Sequence, residues 1–198
     1  MPQWLSIIAQ LLIFISALSS TILRNWKVTL ISLAIMYVGM TILISVSLPI
    51  SIVIIKLIVG WMCCAVLGIS CISIQYQETS SEKSLFSSLL FRVLAVALVS
   101  AVIVVLIPII QPQLISSVPP VTLIACVVLI LIGLIQVAMT HEPFFTITGL
   151  LTLFLGFEAF YSIVELSNLL TGLLAVINLG FVLIGSYLLI KGKETLTE

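Results

Sequence analysis

Apolar runs broken by short polar turns fill the chain almost from end to end. A bilayer core takes about 20 apolar helical residues, and runs of that kind fall at 4–23, 28–47, 50–74, 88–110, 120–140, 143–164 and 168–190. Their length favours helices over buried strands, which rarely exceed about 10 residues. The breaks have physical causes. Arg24-Asn25-Trp26-Lys27 is a polar turn, and Pro49 and Pro143 sit near helix starts, where a missing N–H costs little. Gln75 to Ser84 is the longest polar loop, and Pro112 to Pro120 is a proline-rich turn. The pattern predicts an all-α polytopic membrane protein of about seven transmembrane helices, one membrane domain over residues 1–198. Within it, 1–74 forms a first three-helix unit, 88–110 a linking helix and 120–190 a second three-helix unit.

Composition sharpens this reading. Of 198 residues, 62% are hydrophobic and 7% charged, with a mean hydropathy of +1.44. Soluble domains carry about 25% charged residues, so a water-soluble fold is excluded. The formal net charge is zero and Asp is absent, so the chain has no basic tract for nucleic acid and no acidic tail. The first run lacks a positive leading segment and a cleavage site, and reads as a retained span.

Charge also orients the stack. With seven spans, Arg24, Lys27, Lys83, Arg92, Lys191 and Lys193 all fall on one side. The positive-inside rule then places the amino terminus outside and the carboxyl terminus in the cytoplasm. Trp4, Trp26, Tyr76, Phe144, Phe145, Tyr161 and Tyr187 lie near span ends, where interfacial aromatics are expected.

Two ionisable residues depart from the pattern. Lys56 and Glu158 sit inside apolar runs, each about 10 Å from a span end at 1.5 Å per residue. A charge at membrane depth costs about 2.5–3.5 kcal/mol on insertion scales and marks an ion path, a relay or a pair. Equal depth permits a Lys56–Glu158 pair. In one reading Glu158 is a protonatable relay that Lys56 modulates. In the other, Lys56 reaches towards the interface while Glu158 ties helices together. Asn178 lies deeper and favours an interhelical hydrogen bond. Glu165 falls at the edge of its span, and His141-Glu142 reads as a solvated turn.

Cys63, Cys64, Cys71 and Cys126 lie in apolar runs without Cys-x-x-Cys spacing, and His141 is the single histidine. That supplies no metal-ligand set, no disulfide framework and no cofactor site, so the thiols read as small apolar fillers. Gly149, Gly156, Gly172, Gly180, Gly185 and Ser186 predict close packing of the sixth and seventh helices against each other or a partner, with Gly133 and Gln136 of the fifth available to the same interface.

The chain also carries a weak internal similarity. Thr29, Leu33 and Gly39 recur as Thr146, Leu150 and Gly156, and Tyr37 matches Phe154. Ile54-Ile55-Lys56-Leu57 parallels Val176-Ile177-Asn178-Leu179. Helices one to three then repeat as five to seven, a parallel 3+1+3 repeat that sets Thr41 opposite Glu158 and Lys56 opposite Asn178.

The run Leu155-Gly156-Phe157-Glu158-Ala159-Phe160 resembles the segment around the first intramembrane glutamate of the small K-type subunit of respiratory complex I. The full length, with Ile52-Val53-Ile54-Ile55-Lys56-Leu57 and Glu82-Lys83-Ser84-Leu85-Phe86, resembles the E component of hydrogenase-4-type complexes. That group sits with the K-like subunits and the C subunit of multisubunit sodium/proton antiporters. The resemblance implies an accessory membrane-arm subunit beside larger antiporter-like subunits, in a bacterial cytoplasmic membrane, without a redox cofactor of its own. It implies ion-translocation roles for Glu158, Lys56 and Asn178. K-like subunits carry a second acid in the last helix, where Asn178 stands here, a departure that breaks a two-carboxylate relay. A stand-alone transporter or channel for a small solute is the alternative. A membrane enzyme is the weakest reading, because the loops are poor in catalytic side chains.

Overall fold

A computed structural model describes residues 3–23, 25–74, 76, 90, 93–99, 101–103, 105, 109, 119–140, 142–164 and 167–197. Among the described residues the fold is helical throughout, without strands. The long helices are α1 (Gln3–Ile22), α2 (Trp26–Ile44) and α3 (Ile50–Ser73), then α5 (Pro120–Ala138), α6 (Pro143–Val164) and α7 (Asn168–Thr197). A shorter apolar helix, α4 (Val93–Ile103), falls between the two groups in the chain, and much of the rest of the predicted 88–110 span lies outside the described residues. Among the described residues, six helices are long and apolar enough to cross a membrane.

Local chemistry sets the boundaries. Asn25 caps α2, its side chain accepting from the Lys27 N–H at 3.1 Å. Proline opens α5 and α6 at Pro120 and Pro143, where no intrahelical donor is lost. Pro49 precedes α3 in extended conformation and separates it from α2. Arg24, Lys83, Arg92, His141, Glu165 and the Glu82–Phe86 motif lie outside the described residues.

Two rows of three helices make up the bundle. In one, α2 packs between α1 and α3; in the other, α6 packs between α5 and α7. The rows join in register, α1 on α5, α2 on α6 and α3 on α7. Buried positions take up 56% of the apolar windows of α2, α5 and α6 but 33% of those of α1, α3 and α7, so the first three form the core. Exposed side chains such as Ile50, Trp61, Ile72, Leu169, Val176 and Leu183 give the flanks a hydrocarbon surface suited to lipid.

Contacts at one end fix relative directions. The Tyr76 hydroxyl, beyond α3, donates to Glu142 Oε2 at 2.7 Å, just before α6. Gln136 Nε2, late in α5, reaches the Ser20 carbonyl, late in α1, at 3.5 Å. Thus α1, α3 and α5 all end on the Glu142 side. α5 therefore starts on the side opposite to the one where α3 ends.

Small residues let backbones approach. A Cβ on Gly156 would meet the Cys126 carbonyl oxygen at 2.6 Å and the Ile130 nitrogen at 2.9 Å, and one on Gly133 would collide with the backbone of Leu153 and Gly149. The tight seam therefore joins α5 to α6. Of the glycines expected to join the last two helices, Gly149 and Gly156 instead face α5. On α7, Gly172 and Gly180 have nothing within 4 Å, and Gly185 meets only the Ile147 side chain. Gly172 and Gly180 lie off the buried stripe of α7, which Thr171, Leu174, Asn178, Val182, Ser186 and Leu189 carry, whereas Gly185 is buried against α6.

The aromatic expectation also needs correction at two positions. Trp4 and Tyr187 are exposed, but Phe144 and Phe145 are buried core residues in edge-on contact at 5.1 Å. Sequence places them at a span end, yet the first turn of α6 is enclosed by neighbouring helices. Phe144 also packs on Tyr76, with ring centroids 5.7 Å apart.

Candidate functional site: one carboxylate shared by three helices

Glu158 points away from the glycine seam. Gly156 faces α5, and two residues at about 100° each turn Glu158 to the far side of α6, towards α3 and α7. Six residues separate it from Val164, the end of α6, a depth of about 9 Å along the helix. On α3, Lys56 lies one turn before Gly60, whose backbone packs against the Tyr37 ring. That shared face turns the lysine inwards. Asn178 lies at the centre of the buried stripe of α7.

All three side chains are buried, at 6% exposure for Lys56, 4% for Glu158 and 1% for Asn178. They meet. Lys56 Nζ donates to Glu158 Oε1 at 2.5 Å, forming an ion pair, and Asn178 Nδ2 donates to Glu158 Oε2 at 2.8 Å. Each carboxylate oxygen thus has its own donor from a different helix. Ser162 Oγ adds a bond to the Glu158 backbone carbonyl at 2.7 Å, without touching the carboxylate.

The energetics of this arrangement are two-sided. Taking a carboxylate and an ammonium out of water costs several kcal/mol per ion, and their attraction repays it only with good geometry and further hydrogen bonds. Asn178 supplies one such bond. Removing either charge strands the other in a low-dielectric interior. The triad therefore ties α3, α6 and α7 together at one level.

A small cavity adjoins the triad. It has a volume of about 10 Å³ and is bounded by Tyr37, Met40, Thr41 and Ile44 of α2, Lys56 of α3, and Leu155, Glu158 and Ala159 of α6. Thr41 Oγ1 donates back to the Val38 carbonyl at 2.8 Å. The Tyr37 hydroxyl, in a residue only 1% exposed, and Asn178 Oδ1 have no hydrogen-bond partner among the described residues.

Sequence reasoning brought out all three members of the triad but not Tyr37. Its only sequence signal was a phenol in the middle of an apolar run, a group that needs a polar partner once buried. The Tyr76–Glu142 bond was also missed, since a ten-residue polar loop and a solvated turn gave no reason to pair. Cys63, Cys71 and Cys126 are fully buried free thiols and Cys64 is half-buried. Among the described residues, no group of three His, Cys, Asp or Glu side chains is placed to hold a metal ion. Compared with known proteins, the chain matches no family model, no curated protein and no solved structure.

Proposed function

We propose that the chain is an accessory membrane subunit of a redox-linked or antiporter-type complex that moves protons or sodium ions, with Glu158 as its embedded protonatable group. The observation that carries this reading is the convergence of Lys56, Glu158 and Asn178 from three helices on one buried carboxylate. Intramembrane ionisable groups of this kind mark ion paths and relays by default. Lys56 acts as the counter-ion, and Asn178 orients the carboxylate without taking its proton. The resemblance of Leu155–Phe160 to the K-type glutamate segment points the same way. Large antiporter-like subunits are the proposed partners, set against the apolar flanks of the bundle in a cytoplasmic membrane, with the amino terminus outside.

Internal duplication accompanies this reading. Gly39 packs against Ala9 and Ile13 of α1 as Gly156 packs against Cys126 and Ile130 of α5, and the same spacing along the chain separates each matched pair. Ser32 meets Ser19 as Gly149 meets Gln136, again at that spacing. These paired contacts support a parallel repeat of α1 and α2 as α5 and α6, in which Thr41 corresponds to Glu158; the likeness of Ile54–Leu57 to Val176–Leu179 extends it to a 3+1+3 repeat with Lys56 against Asn178. The two halves then contribute unlike side chains to one site: cation from the first, acid and amide from the second.

A stand-alone solute transporter fits less well. The cavity beside Glu158, about 10 Å³, holds no organic solute. Copurification in mild detergent with mass spectrometry identifies the partners. Glu158→Gln keeps the size and one hydrogen-bonding oxygen but cannot exchange a proton. It is expected to cut ion pumping by the parent complex at least tenfold while the subunit still assembles. Pumping at the wild-type rate would reduce Glu158 to a structural tie.

A further inference from the structure

We infer that the cavity between α2, α3 and α6 binds one ordered water molecule, which bridges the Tyr37 hydroxyl to the Lys56–Glu158 pair. A buried hydroxyl without a partner costs about 1–3 kcal/mol, and an orphan of this kind calls for a water or an ion. Tyr37 is such a group, and its residue lines the same cavity as both members of the ion pair. The Tyr37 ring packs against the backbone at Gly60, which limits how far its hydroxyl can swing to find another partner.

Space and chemistry both suit water. A site needs about 10–15 Å³ and two to four polar partners to hold one, and this cavity offers about 10 Å³. Tyr37 Oη can donate and accept. Thr41 Oγ1 spends its proton on Val38 and keeps a lone pair for a donor. Lys56 Nζ has two N–H groups beyond the one given to Glu158, and each carboxylate oxygen retains a second lone pair. Water can satisfy donors and acceptors of this mixed set together. A sodium ion cannot, because the ammonium repels it and the cavity is too small for a shell of oxygens. Nor can an apolar group, which would leave the phenol unpaired.

The water's role rests on the reading of Glu158 as an exchangeable acid, but its presence does not. With Asn178 unable to carry a proton onward, the water is the first oxygen beyond the triad from which Glu158 can receive one. Tyr37 is then a positioning residue that holds this water in place.

The test is an experimental structure of the full chain with its copurifying partners in lipid nanodiscs, at a resolution that shows ordered water, for wild type and Tyr37→Phe. The expected result is a solvent peak within hydrogen-bond reach of Tyr37 Oη in wild type and its loss in Tyr37→Phe, with the helices unmoved. An empty cavity in wild type overturns the inference, as does a peak that persists unchanged in Tyr37→Phe. Infrared difference spectra of wild type in ¹⁶O and ¹⁸O water need no variant. They should show a shifted band from a confined O–H stretch, and a spectrum without one also overturns the inference. Water present with normal pumping by Glu158→Gln would instead sink the proposed function and leave the water site standing.

Discussion

Two clusters of buried polar side chains lie at different levels of the bundle and are satisfied in different ways. Towards the Glu142 end, hydroxyls bond back to their own helices: Ser16 to Leu12 at 2.7 Å, Thr21 to Ala17 at 2.9 Å, Thr148 to Phe144 at 3.1 Å and Thr152 to Thr148 at 2.8 Å. Ser19 with Ser32 at 2.6 Å, the long bond from Gln136 to Ser20, and Tyr76 to Glu142 at 2.7 Å join different segments there. Towards the other end, Lys56, Glu158 and Asn178 find their partners solely on other helices. A short hydroxyl reaches a carbonyl one turn back whatever its neighbours do, so it constrains tertiary structure little. A charged group has no such local refuge. It must recruit other helices, and in doing so it ties their register to one another.

Removing Lys56 should break the contrast most severely. Lys56→Met leaves Glu158 with a single donor, and an orphaned buried charge costs about 3–5 kcal/mol. Unfolding in bicelles by steric trapping measures this loss. A cost below about 1 kcal/mol would mean the pair is solvated and no different from the hydroxyl cluster.

Next comes the frame that aims Glu158. Gly156→Leu places a Cβ 2.6 Å from the Cys126 carbonyl oxygen, so helix backbones must part. The expected destabilisation is about 1–3 kcal/mol, and the Lys56–Glu158 contact should loosen with it. Gly172→Leu is the control, because nothing lies within 4 Å of that position. Its stability should change by less than about 0.5 kcal/mol. Equal effects at the two glycines, read by the same unfolding assay, would contradict the α5–α6 seam.

A smaller effect is expected from Asn178→Leu. Interhelical hydrogen bonds in membranes average about 0.6 kcal/mol and reach about 1.7 kcal/mol; a partner that is charged puts this one near the top of that range. Thermal stability in detergent, compared with Asn178→Asp, separates loss of the bond from a change of charge. Smallest of all, Ser16→Ala should shift stability by less than about 0.5 kcal/mol, since its hydroxyl serves its own helix. A larger loss would show that the hydroxyl cluster also acts between helices.

How far the sequence reached follows from what a one-dimensional pattern encodes. Run length gave the long helices, because bilayer thickness and helical rise convert directly into residue number. Depth along a span came equally cheaply: it set Lys56 and Glu158 at one level and Asn178 deeper. Rotation about each helix axis and the choice of neighbours were not legible. Equal depth permitted the Lys56–Glu158 pair, but the α3–α7 and α2–α6 contacts that close the site depend on how the rows join. For the same reason Gly149 and Gly156 were set towards the seventh helix, whereas they meet α5. Gly156 and Gly185 look alike in sequence, yet one meets a facing backbone and the other a flexible isoleucine side chain. Phe144 and Phe145 were placed at an interface because their position in the span was known and their covering neighbours were not. Tyr37 was passed over because its hydroxyl gains meaning only from the cavity it lines.

A double-mutant cycle across Lys56→Met and Glu158→Leu, read as unfolding free energy in bicelles, tests most directly whether the buried acid is held by its neighbours. The single variants should each be much less stable than wild type, and the double variant should recover much of the loss, with a coupling energy on the order of 2 kcal/mol. Additive effects, with coupling indistinguishable from zero, would contradict the account and leave the three side chains as independent occupants of the same level.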